Sequence, residues 1–338
     1  MSVANGAKLP NDGVIQIAFD RYLLPSTITR QSFVLTEANG TPLATEEAAI
    51  PQYDPIARTV TLRPPKVPWL KEGVAYKLTL PVAKGDSDDA GVRAIDRAAL
   101  FEDQPREFAF LVGPPTGQTF EPTVSFCRDV LPIFYAKCSV PTCHGTGDSA
   151  AASLVLDTSA GVAATALNRV AQGANTGPLS GSGRSPGRIF GVDMPLVDPE
   201  NPGNSWLLYK IELARPPVVD AGPKPAFACS AGVREPQVRF AFSPLVPQAQ
   251  RSADEIERAI LDDYVLGREM PFPVPQVGGY SDQALTFEER EIVRLWIQGL
   301  RRGSAIPDCG GCGTLKESDA GASDAGTGDA GASDAADQ

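Results

Sequence analysis

Histidine and methionine are almost missing from this chain: of 338 residues, 1 is histidine and 3 are methionine. A single imidazole leaves no spare base for a serine or cysteine nucleophile, so triad-type hydrolysis is disfavoured. No general acid or base constellation stands out either, which points to a protein that is not an enzyme. Positive charge is also scarce, with 30 lysines and arginines against 41 acidic residues and a net charge of -11. No basic cluster is available to displace counterions from phosphates, so nucleic acid is not expected as a partner. No apolar run approaches the roughly 20 residues of a transmembrane segment. The 6 cysteines are few for a disulfide scaffold of this length, yet their clustering suits an oxidising compartment. The start, Met1 to Gly6, has no basic and apolar signal stretch, so export information is expected to lie outside these residues.

What is present divides into parts. Residues 1–113 carry short β-rich runs at Val14–Phe19, Phe33–Leu35, Thr59–Leu62, Ala75–Leu80 and Glu107–Leu111, separated by turn residues, which predicts an all-β sandwich of Ig-like type. Asp86 to Gly91 begins like a calcium loop, but Ala90 stands fifth and Arg97 twelfth, where a glutamate is required; it reads as a solvated hairpin loop. The prolines and glycines of Gly113-Pro114-Pro115-Thr116-Gly117 mark a linker over 114–121. The second part, 122–309, is mainly α. A helix is predicted over Asp129–Cys138, with Val130, Ile133 and Phe134 on one face. A second opens at Ser252, carrying Ile256, Ala259 and Ile260, and a third opens with the capping box of Thr286 and Glu289. Residues 158–250 are rich in glycine, proline and serine and read as a long loop insertion with a little helix. Residues 313–338, a near-repeat of Ser-Asp-Ala-Gly from Ser318 onward, read as a disordered acidic tail.

The lone histidine directly follows a cysteine in Cys138-Ser139-Val140-Pro141-Thr142-Cys143-His144-Gly145. Chance would put a single histidine behind one of the cysteines in roughly one case in fifty. Two thiols followed by an imidazole are what a covalently attached haem needs: each thiol adds to a vinyl group and the histidine reaches the iron. The spacing here is four residues between the thiols, longer than the usual two.

Two resemblances follow. Asp12-Gly13-Val14, Phe19-Asp20-Arg21, Gly40-Thr41-Pro42, Arg58–Pro64, Gly73–Leu80 and Phe108-Ala109-Phe110 resemble a bacterial Ig-like domain of the surface-layer type. Asp129-Val130-Leu131-Pro132-Ile133, Cys138, Cys143-His144-Gly145, Leu154-Val155-Leu156-Asp157, Val197–Lys210, Glu269-Met270-Pro271 and Leu285–Gly299 resemble the Planctomycete-type group of bacterial c-type cytochromes. The second resemblance implies one covalently attached haem c, held through Cys138 and Cys143 with His144 as proximal iron ligand. It also implies that the first and last helices of the domain cross. A distal methionine is expected because no second histidine exists. Met270 matches the family position, and Met194, which also precedes a proline, is the second choice. The helix crossing makes Cys127 pairing with Cys309 or Cys312 sensible, with Cys229 available to the other.

The expected function is therefore an exported monohaem c-type cytochrome carrying single electrons, positioned by the Ig-like module in the periplasm or at the cell surface. Its partners would be redox proteins or small redox agents, and a lipid anchor ahead of residue 1 stays open. A different class remains beside it: a surface binding or scaffold protein whose cytochrome-like domain is haem-free, with Cys138 bonded to Cys143. Cys138-x4-Cys143 with Cys309-x-x-Cys312 also has zinc-ribbon spacing.

Overall fold

The computed structural model describes residues 8–66, 68–85, 90–100, 105–116, 124–139, 143–146, 150–171, 193–216, 238–241, 251–265, 267–271, 275–276, 279–280, 284–307 and 309. Most of the loop read as a solvated hairpin loop, Asp86 to Asp89, lies outside them, as do Cys229, Cys312 and the acidic tail.

The five predicted β-rich runs form β2 (Ile15–Ala18), β3 (Val34–Glu37), β5 (Thr59–Arg63), β6 (Ala75–Thr79) and β7 (Glu107–Gly113), and two strands that the sequence reading did not include join them, β1 (Lys8–Pro10) and β4 (Ile50–Asp54). One sheet runs β1-β7-β6-β3. The second runs β4-β5-β2 and gains a further strand, β8 (Val238–Ala241), parallel to β2 with Ile15 opposite Val238. Ile15 and Ile17 of β2 pair with Leu62 and Val60 of β5, and all four are fully buried. From the other sheet Leu35, Tyr76, Leu78, Phe110 and Val112 enter the same cluster, so two sheets face each other across one apolar layer. Sequence alternation missed β4 because Pro51 interrupts it; β4 is an edge strand, where a missing N–H is tolerated.

Helices follow. A π-helical turn over Phe126–Val130 leads into α1 (Leu131–Lys137). Ser125 caps this entry by accepting from Arg128 N, and Pro132 sits in the first turn of α1, where its missing donor costs nothing. Then come α2 (Ser159–Thr165), α3 (Trp206–Glu212), α4 (Arg251–Tyr264), the short pair β9 (Pro275–Gln276) and β10 (Gly279–Tyr280), and α5 (Phe287–Gly299). The capping box of α5 is complete: Glu289 N donates to Thr286 Oγ1, and Thr286 N donates to Glu289 Oε2. The first and last helices meet through rings. Phe126 lies 5.2 Å and Phe134 6.0 Å from the Trp296 ring centroid.

One sequence expectation is sharpened and one corrected. The little helix expected within 158–250 is α2 and α3, and every residue of α3 is buried. Trp206, Tyr209 and Leu213 of this segment join the sandwich cluster, whereas Leu207, Leu208 and Ile211 join the helical one. The helix has two apolar faces and is the shared wall of both cores, which is why a one-sided amphipathic pattern does not reveal it. In α4, Ile256 does not share the inward face, being 61% exposed. Glu257, Leu261 and Tyr264 turn inward instead, because the Glu257 carboxylate is held by Arg21 Nε at 2.7 Å and by Tyr22 N at 3.1 Å.

The seam between sandwich and helices is polar. Arg290 of α5, 2% exposed, pairs with Glu212 at 2.8 Å and also donates to the carbonyls of Ala214 and Leu285. Tyr22 Oη donates to the other Glu212 oxygen at 2.9 Å. Arg294 reaches Asp54 of β4 at 3.1 Å. A Cβ on Gly203 would lie 2.7 Å from Tyr53 Cβ, so only glycine lets that turn approach β4.

Candidate metal centre

Cys138 caps α1, its N–H donating to Phe134 O at 2.8 Å. Burial in the helical core pushes its thiol up to about 12, so in this state it is a protonated thiol. The chain then turns back on itself, with His144 N donating to Cys138 O at 3.0 Å and Ser139 Oγ to His144 O at 3.3 Å. The returning strand of chain fixes the hairpin from its other side: Ala151 N donates to Cys143 O at 2.7 Å and Leu156 N to His144 O at 2.7 Å. Sequence reasoning thus names three residues that the structure brings into one hairpin. Both cysteines carry free thiols, Cys138 buried and Cys143 half-buried.

The imidazole is oriented. His144 Nδ1 lies 3.1 Å from Ala151 O, and a carbonyl can only accept, so the ring proton belongs on Nδ1 and the lone pair on Nε2. Burial lowers the His144 pKa, with the carbonyls of Ala151 and Leu154 opposing, which favours the neutral ring that a metal requires. Downstream, Asp157 clasps the turn: its Oδ2 accepts from Thr146 N at 2.5 Å and from Thr146 Oγ1. A Cβ on Gly145 would lie 3.0 Å from Ser139 O and 3.5 Å from Asp157 Oδ2, so any larger residue would crowd this clasp. The carbonyls of Ala151 and Leu154 carry no sequence signal. Asp157 does, through its place in the Leu-x-Leu-Asp run.

The two methionines part company. Met194 is 3% exposed and belongs to the sandwich-side cluster, whereas Cys138 belongs to the helical one. Met270 is held against α3: its N–H donates to Lys210 O at 3.0 Å, while Lys210 Nζ donates to Arg268 O. Lys210 is therefore the residue that fixes the Met-Pro loop.

Cys127 and Cys309 form a disulfide with Cα atoms 5.3 Å apart across 182 residues of sequence. This takes the Cys309 thiolate out of any zinc set, and among the described residues no group of three histidine, cysteine or acidic side chains could hold a metal ion. The remaining donors, two free thiols and one oriented neutral imidazole in a single hairpin, suit covalent attachment and axial ligation of an iron porphyrin. No helix among the described residues is long and apolar enough to cross a membrane. No family model matches the chain, and no curated protein or solved structure matches it either.

Proposed function

We propose that this chain is an exported monohaem c-type cytochrome that passes single electrons, with the N-terminal sandwich acting as an Ig-like module that positions it in the periplasm or at the cell surface. The observation that carries the reading is the hydrogen bond of His144 Nδ1 to Ala151 O at 3.1 Å, beside two unpaired thiols. Cys138 and Cys143 are the attachment points, His144 Nε2 the proximal donor and Met270 the distal one. Haem c bound there supplies a one-electron iron couple. The protein's own residues do the rest. Ala151 fixes the tautomer, Asp157 and Thr146 hold the turn, and Lys210 holds the loop that carries Met270. Cys138 is buried among Phe134, Leu154 and their neighbours, so one side of the site is apolar, whereas Cys143 and His144 are half-buried.

The second reading, a haem-free scaffold, was expected with Cys138 bonded to Cys143; that disulfide is not formed, since both thiols are free, and the scaffold remains only as a haem-free domain with reduced cysteines. One experiment separates them: absorption spectra of oxidised and reduced protein exported from a host with haem-attachment machinery, with a denaturing gel stained for covalent haem. Sharp reduced bands and haem surviving denaturation are expected, with the spectrum altered in His144→Ala and the attachment weakened in Cys143→Ser. A colourless protein sinks the cytochrome reading and leaves the scaffold.

A further inference from the structure

Where the sandwich packs against α5, the carboxylates Asp54, Glu212 and Glu291 meet the guanidinium groups of Arg290 and Arg294, and the pairing leaves one carboxylate over. Glu212 of α3 is closed: Arg290 Nη1 donates to its Oε1 at 2.8 Å and Tyr22 Oη to its Oε2 at 2.9 Å. Arg294 of α5 is shared. Its Nε lies 3.1 Å from Asp54 Oδ2 of β4 and 3.0 Å from Glu291 Oε2, and its Nη2 donates to the same Glu291 oxygen at 2.9 Å. One guanidinium thus serves two carboxylates from opposite sides of the seam, and the two are not equally provided for. Asp54 Oδ1 also accepts from Ile56 N at 2.8 Å and Ala57 N at 3.2 Å, which suits a charged carboxylate. Glu291 Oε1 is buried and accepts nothing among the described residues. A buried carboxyl oxygen without a donor is costly when charged, so Glu291 carries the proton of the pair. The other ionisable groups around Asp54 are Tyr53 of β4 and Tyr209 of α3, both buried with their hydroxyls engaged. The contact between β4 and α5 also stops short: a groove of about 850 Å³ lies where α5 ends, lined by Gln52 and Tyr53 of β4 and by Gln298 and Gly299 of α5.

We propose that Asp54 and Glu291 form a proton-operated latch between the sandwich and α5. With one proton on the pair, both carboxyls close on Arg294. Loss of that proton sets two like charges against one guanidinium, and β4 and α5 part, starting from the groove that already divides them. The latch works whether or not haem is attached. Burial and the Asp54 charge raise the Glu291 carboxyl to about 7 in the closed seam, whereas an opened, wet seam returns it to the ordinary 4.5. The closed form therefore holds the extra proton, and the opening constant rises about tenfold between pH 6 and pH 8.5.

The test is amide hydrogen exchange of the full chain at those two pH values, corrected for intrinsic exchange and repeated in low urea. The reporters are the amides of Ile56 and Ala57, which donate to Asp54 itself. Their protection is expected to fall about tenfold at the higher pH, through an opening with little urea dependence, whereas amides of β6 and β7 in the other sheet exchange by a urea-dependent unfolding. Glu291→Gln, neutral at every pH, should abolish the step and keep protection at its pH 6 level. Asp54→Asn, which leaves Glu291 as the one carboxylate on Arg294, should shrink the step and serves as the second variant if the first does not fold. Protection unchanged with pH, a step of full size in either variant, or Ile56 and Ala57 following the same urea dependence as β6 and β7 would overturn the latch.

Discussion

The two cores of the molecule are closed by different means. On the sandwich side, aliphatic pairs from β2 and β5 are sealed by buried tyrosines, three of which engage their hydroxyls close to the seam: Tyr22 to Glu212 at 2.9 Å, Tyr53 from Leu23 N at 2.9 Å and Tyr209 to Gly203 O at 2.7 Å. Among the described residues the helical core has no buried tyrosine. It is built from the Phe126, Phe134 and Trp296 rings and clamped by the Cys127–Cys309 bond and by Lys137 Nζ on Glu289 at 2.7 Å. Hydrogen-bonded rings close the first core, and two of these three bonds involve α3, through Glu212 and Tyr209. The second is closed by a covalent clamp, and it is the one whose wall includes a free thiol. Both lean on α3, so neither should melt without being felt in the other.

That comparison can be broken most severely at the disulfide. Replacing Cys127 and Cys309 by serine releases a loop spanning 182 residues, and loop-closure entropy sets the loss at about 5 kcal/mol. Urea unfolding followed by tryptophan fluorescence should show the loss. An unchanged midpoint would mean that α3, not the clamp, holds the helical core. Next in size is Trp296→Ala, which removes the ring shared by Phe126 and Phe134 and should cost about 3–5 kcal/mol. Hydrogen exchange at Ile15 and Val60 reports on the sandwich. If their protection falls together with that of α1, the shared wall couples the cores; if it is unmoved, they are independent.

The seam gives a smaller, pH-dependent effect. Burial, with help from the Asp54 carboxylate, pushes the Glu291 carboxyl up to about 7, against the pull of Arg294. Its folded value lies above the ordinary 4.5, so the folded state binds the extra proton between the two. The stability this confers is fully present below about 4.5 and is lost as pH rises through about 7, on the order of 1–3 kcal/mol. Denaturation midpoints at pH 5 and pH 8 should therefore differ in the native protein. Glu291→Gln, which stays neutral, should flatten the difference and leave the variant the more stable of the two at pH 8.

Legibility followed the physics of each element. Strands with period-two alternation were readable, as were the Thr286–Glu289 capping box and the thiol–imidazole hairpin, because each signal is local. The Cys127 pairing was readable to within its two candidate partners, since it followed from an expected helix crossing. What escaped was decided at a distance. Pro51 hid β4, whose edge position makes a proline harmless. The two-faced burial of α3 cannot be seen until both neighbours exist. At the hairpin itself, Cys138, Cys143 and His144 are close because they are close in sequence, and the Ala151 carbonyl that orients the ring is a backbone group with no residue type to betray it.

The smallest prediction concerns α4, where sequence and structure disagree about which face is inward. Periodicity put Ile256 with Ala259 and Ile260, whereas the fold turns Glu257 and Leu261 to the core and leaves Ile256 61% exposed. Ile256→Glu should then change stability by no more than about 0.5 kcal/mol, since an exposed site loses little apolar burial. Urea midpoints of this variant decide the matter, because glutamate is as good a helix former as isoleucine and propensity adds little of its own. A loss of several kcal/mol would mean that Ile256 is buried and that the Arg21–Glu257 pair does not set the rotation of the helix. A neutral result would show one buried, paired carboxylate overriding an apolar stripe, with the sandwich dictating the orientation of a helix that the sequence assigned to the other half of the chain.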